Sequence, residues 1–105
     1  MDRPRIDNEI VRVRHEVLVA LKLVYPAALQ ADQLFRSLLA VFPLLEWNRF
    51  RRDVCYLSEK GYLQRVVAAS ERDKTMTPWR RRWFRVTPLG MEVADHLVGD
   101  PALNP

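Results

Sequence analysis

A chain of 105 residues, 49% of them hydrophobic, suffices for one domain with its own core. Its single cysteine, Cys55, excludes an internal disulfide framework and suits a reducing cytoplasm, and a net charge of +4 favours an anionic partner. The charged opening MDRPRIDNEIVRVRHE lacks the apolar centre of a signal peptide, and no apolar run approaches the ~20 residues that cross a bilayer, so a cytoplasmic protein with no membrane partner is expected.

One domain is read over residues 1–105, with residues 1–6 as an N-terminal arm and 99–105 as a C-terminal tail. A first helix is predicted from Asp7 to Tyr25, capped by Asp7 or Asn8, because Ile10, Val13, Val17, Leu21 and Val24 recur at the helical period with Leu18 beside them. Pro26 ends it. Arg3, Arg5, Arg12 and Arg14 flank its start, but Asp2, Asp7 and Glu9 offset them, so these arginines read as solvated. After the linker PAALQ, the stripe Leu34, Phe35, Leu38, Leu39 and Phe42 predicts a second helix from Ala31 to Phe42, stopped by Pro43.

A brief turn leads to a third helix, Glu46 to Lys60, with Gly61 as its C-terminal stop. At 100° per residue, Trp47, Phe50, Val54 and Leu57 share a face destined for the core. Asn48, Arg52, Cys55 and Glu59 lie opposite, with Arg49, Arg51 and Tyr56 on the flanks. Arg49 and Asp53 are spaced for an i,i+4 pair. The helix carries Glu46, Asp53 and Glu59 against Arg49, Arg51, Arg52 and Lys60, close to electrical balance.

YLQRVVAAS and WRRRWFRVT are rich in strand formers, and the polar ERDKTMTP separates them, which predicts a long-tipped hairpin over residues 62–87. Alternation puts Phe84 and Val86 on one face and Trp83 and Arg85 on the other. In TPLGMEVADHLVG, Thr87 is a good N-cap and Pro88 suits the first helical position. Leu89, Val93 and Leu97 form the stripe of this fourth helix.

The positive charge is concentrated. Between Gly61 and Val86 stand Arg65, Arg72, Lys74, Arg80, Arg81, Arg82 and Arg85 against Glu71 and Asp73, whereas no Lys or Arg follows Thr87. A localised cationic field attracts a polyanion better than dispersed charge does. Guanidinium groups can also stack on Trp79 and Trp83 and so hold a fixed direction.

The order helix, helix, short turn, helix, hairpin, helix resembles the winged helix-turn-helix domain. FRRDVCYLSEKGYLQR looks like that family's recognition helix running into its first wing strand, and FRVTPLGMEVADHL like the second wing strand entering a closing helix. With VALKLVYPAALQADQLFRSLLAVF, the likeness covers nearly the whole chain. A narrower similarity, to small winged-helix proteins of Mu-like prophages, rests on the YP, RD…YL…KGYL and TPLG spacings. The resemblance implies a mainly α fold with a small β-hairpin, in which the third helix enters the major groove of double-stranded DNA and the wing touches its backbone. It implies DNA contact by Asn48, Arg49, Arg51 and Arg52 of helix 46–60, and by Arg80, Arg81, Arg82 and Arg85 of the hairpin. Asn can pair with adenine and Arg with guanine through two hydrogen bonds each. A homodimeric transcriptional regulator, dimerising through its first or last helix, is the expected function. The alternative is a non-enzymatic interaction or dimerisation module of the same fold, with Trp47, Trp79 or Trp83 exposed as anchors.

Catalysis is not expected, since the chain has neither a glycine-rich phosphate loop nor GxSxG nor a plausible Ser/His/Asp set. No cofactor is expected. His15, His96 and Cys55 stand apart without metal-ligand spacing, and Cys55 reads as a small filler residue.

Overall fold

Pro26, Pro43 and Gly61 punctuate the first sixty residues into three helices: α1 (Arg5–Val24), α2 (Ala31–Leu39) and α3 (Trp47–Glu59). The computed structural model describes residues 5–67, 77–96, 99, 100 and 103, with side chains from residue 9 onward. Three short strands, β1 (Leu29–Gln30), β2 (Leu63–Val66) and β3 (Trp83–Val86), form an antiparallel sheet in the order β1-β3-β2. A 3-10 turn, Trp79–Arg81, precedes β3, and α4 (Pro88–Ala94) follows it as the last element among the described residues. The fold is thus mainly helical with a small three-stranded sheet.

α1 runs through the middle and packs against α2, α3, α4 and β3. Its apolar positions Val13, Val17, Leu18 and Leu21 are fully buried, as are Leu34 of α2, Phe50, Val54 and Leu57 of α3, Val86 of β3 and Val93 of α4. These positions recur at three- and four-residue intervals within the helices, so the helical stripes and the core coincide.

The end of α3 shows how turn chemistry fixes the sheet. Gly61 takes φ +81°, the left-handed conformation that a glycine adopts without penalty. The chain then reverses, with the Tyr62 N–H donating to the Leu57 carbonyl at 3.0 Å. Thr87 caps α4 by accepting the Gly90 N–H at 3.1 Å, and its hydroxyl donates to the Gly61 carbonyl, joining the start of α4 to the end of α3. Gly90 lets the backbone of α4 meet that of Tyr62, since a Cβ there would lie 2.2 Å from the Tyr62 carbonyl oxygen.

Several expected boundaries move. α1 begins at Arg5, so residues 5 and 6 belong to the helix rather than to an arm. α2 ends at Leu39, and a turn closed by the Phe42 N–H on the Leu38 carbonyl carries the chain to Phe42. The PAALQ linker contains β1, whose Leu29 and Gln30 pair with Phe84 and Trp83. WRR is a 3-10 turn rather than strand. In α4, Val93 of the expected stripe is buried, but Leu89 is exposed, and Gly90 and Ala94 are buried beside Val93. Of the expected tail, Asp100 and Leu103 are buried, and the Asp100 carboxylate accepts a hydrogen bond from the Tyr62 hydroxyl. That acceptor pushes the phenol up to about 12. The hairpin tip with Arg72 and Lys74, and Leu97, lie outside the described residues.

Candidate functional site

α3 sorts its side chains as its periodicity requires. Phe50, Val54 and Leu57 face inward, while Asn48, Arg51, Arg52, Cys55 and Glu59 are exposed. Asp53 departs from the expected pattern. It is 2% exposed and bonded to Arg14 of α1, whose Nε lies 3.1 Å from its Oδ1 and whose guanidinium sits 3.8 Å over the Tyr56 ring. Arg49, drawn as its i,i+4 partner from the spacing, lies half-buried with Nη1 3.8 Å from Glu9. Burial raises the Asp53 carboxyl above its ordinary value, opposed by the Arg14 hydrogen bond and by the charges of Arg14, Arg49 and Arg52. Because Asp53 turns inward, the outward side of α3 carries Arg51, Arg52 and Lys60 against Glu46 and Glu59. The near-balance read from the helix's composition persists at its surface, an excess of one positive charge in both, because half-buried Arg49 leaves the outward side along with Asp53. Arg14, expected to be solvated, is a half-buried residue that joins α1 to α3.

The hairpin divides its arginines by register. β2 and β3 pair Arg65 with Phe84 and Gln64 with Arg85. Arg65 and Phe84 therefore share the face turned toward α3, and Gln64, Arg85 and Trp83 share the other. Arg85 donates from Nε to Gln64 Oε1 at 2.8 Å along that outer face. A cleft of about 250 Å³ separates α3 from the sheet, lined by Cys55, Ser58, Glu59, Arg65, Arg82 and the rings of Trp79 and Phe84. Cys55 also lines the groove that holds Asn48, Arg51 and Arg52. One continuous surface thus runs along α3 from Asn48 and across Cys55 to Arg82 and Arg65. Cys55, exposed at its middle, fills no core space.

The three consecutive arginines have three different settings. Arg80 turns toward α2: its Nη1 lies 3.1 Å from Asp32, and its guanidinium sits 4.0 Å over Trp47. Arg81 is exposed on the 3-10 turn. Arg82 is half-buried beside Trp79, with its Nε donating to the Thr77 carbonyl at 3.2 Å. Trp79 stacks on Phe84 at 5.3 Å and meets Trp47 edge-on at 6.0 Å, so tryptophan and arginine interleave to seat the hairpin base on α2 and α3. Of the expected contact residues, Asn48, Arg51, Arg52 and Arg82 share one surface, whereas Arg80 and Arg85 lie apart from it. Arg65 joins that surface, and the β2–β3 register was the signal that would have found it.

His15 and His96 stack at 5.5 Å with His15 Nε2 at 3.1 Å from the Ala94 carbonyl. Among the described residues, no helix is long and apolar enough to cross a membrane, and no cluster of three or more His, Cys, Asp or Glu could hold a metal ion. No protein-family model, curated protein or solved structure matches the chain.

Proposed function

We propose that the chain is a winged helix-turn-helix protein that binds double-stranded DNA, with α3 in the major groove and the β2–β3 hairpin as the wing, acting as a homodimeric regulator. The order helix, strand, helix, helix, strand, strand, helix supports the fold assignment, with the short β1 completing a sheet beside the wing. The observation that carries the DNA reading is the pair of clefts meeting at Cys55 that bring Asn48, Arg51 and Arg52 together with Arg65 and Arg82, four arginines against the single carboxylate of Glu59. Asn48 and Arg52, one turn apart, have the chemistry to read base edges, and the arginines that of phosphate partners. The tryptophan anchors of the interaction-module reading are partly withdrawn, since Trp47 and Trp79 pack into the ring cluster with Phe35, Phe50 and Phe84.

The test is fluorescence anisotropy of a labelled duplex. The wild type should bind at low salt, and the double variant Arg51→Glu, Arg52→Glu should lose roughly 100-fold or more in affinity, because two phosphate attractions become repulsions. Both residues are exposed, so circular dichroism should stay unchanged. Equal binding by the two proteins would remove α3 from the interface.

A further inference from the structure

Leu44 is 91% exposed in the short turn between α2 and α3, although its neighbour Leu45 is buried. At that exposure it contributes almost nothing to the core. Single exposed leucines are ordinary on protein surfaces, and Leu23 near the end of α1 is another, at 82%. What distinguishes Leu44 is the chemistry gathered beside it. With Ile10 it forms the apolar side of a cleft of about 420 Å³ whose other walls are Arg14 of α1 and Glu46, Asn48, Arg49, Arg52 and Asp53 at the start and along the side of α3. Asn48 and Arg52 also line the groove proposed above to face the duplex. An apolar side chain in the turn that leads into that helix therefore shares a cleft with an amide.

The edge of one base pair matches this combination. In the major groove, adenine offers N6 and N7, which a single Asn amide can engage together, and its partner thymine offers an apolar 5-methyl group. A G·C pair presents no methyl. We propose that Leu44 recognises the thymine 5-methyl of an A·T pair whose adenine is held by Asn48, making the turn before α3 a specificity element. The inference rests on the DNA-binding reading and adds the base pair that this end of α3 selects. Its apolar contact provides discrimination that the arginines, which attract every phosphate alike, do not.

The test uses duplexes enriched on the wild-type protein from a random pool, then resynthesised with deoxyuridine replacing one thymine at a time. That change deletes the methyl and keeps the pairing. At one position, the wild type should bind the thymine form about three- to fivefold more tightly, the effect of burying one methyl group. Leu44→Ala should bind both forms equally, near the wild-type affinity for the uracil form, while Leu23→Ala keeps the discrimination. The inference falls if the wild type ignores every thymine methyl, or if Leu44→Ala discriminates as the wild type does. It also falls if Leu44→Ala changes the mass in solution, which would make Leu44 a subunit contact. Enrichment of no duplex at all would overturn the DNA-binding reading with it, whereas binding without methyl discrimination overturns this inference alone.

Discussion

Asp53 and Arg14 tie the proposed reading helix to α1 through a part-buried charge pair whose carboxylate is the buried member, and removing the partner of a buried carboxylate is costly. Arg14→Ala would leave the carboxylate without its bonded guanidinium, and a loss of about 3 kcal/mol at neutral pH, the low end for a broken buried pair, is expected because Arg14 is partly exposed. The pH dependence has a definite sign. Burial raises the folded Asp53 carboxyl above its ordinary 3.8, so the native chain holds this proton to higher pH than the unfolded chain. Stability therefore falls as pH rises from that ordinary value through the folded one, then levels off. Asp53→Asn should flatten this segment, and Arg14→Ala should extend it upward by removing the influences that oppose burial. Urea unfolding between about pH 4 and pH 8 reads both effects, and parallel curves for wild type and Asp53→Asn would count against the assignment.

Among the elements, the 3-10 turn before β3 links the hairpin to the helices. Trp79 stacks on Phe84 of β3 and meets Trp47 of α3, while Arg80 reaches Asp32 of α2. Trp79→Ala should cost about 3 kcal/mol, the low end for losing a large aromatic from a packed cluster. Trp83→Ala, on the outer face of β3, should cost clearly less. Urea unfolding of the two variants decides, and equal losses would mean that the turn is not the hairpin's seat. This element also marks where sequence periodicity stops informing. The apolar face of α3 followed from spacing alone, as did the Thr87 cap and the common face of Phe84 and Val86, because each depends on neighbours within a few residues, whereas which face of the hairpin turns inward does not. WRR reads as strand by composition, yet its side chains pack on the rings of Phe35 and Trp47, distant in sequence, where the chain forms a turn. β1 is only two residues long, too short for an alternating pattern, and exists because β3 offers it an edge. Asp53 looks like a surface i,i+4 partner until α1 places Arg14 against it. Leu89 gives way to Gly90 as a buried position because only a glycine admits the Tyr62 carbonyl.

For the whole molecule, the distribution of arginines makes the proposed interface countable. Each phosphate contact releases condensed counterions, so the slope of log affinity against log salt changes by about 0.9 per contact on duplex DNA. Arg51 and Arg52 on α3 and Arg82 at the cleft between helix and sheet share one surface, and each change to Gln should make the slope shallower by about that amount. Arg85 lies on the opposite face of the sheet, bonded to Gln64, and Arg80 is committed to Asp32 and Trp47. Arg85→Gln should therefore leave the slope unchanged, and Arg80→Gln should act on stability rather than on counterion release. Composition alone treats these five arginines as equivalent, but the fold gives them different partners. Salt titrations of the five single variants on one duplex separate the two groups. A slope that dropped equally for all five would mean that the duplex wraps both faces of the hairpin, and the α3-centred interface would have to be redrawn around the sheet.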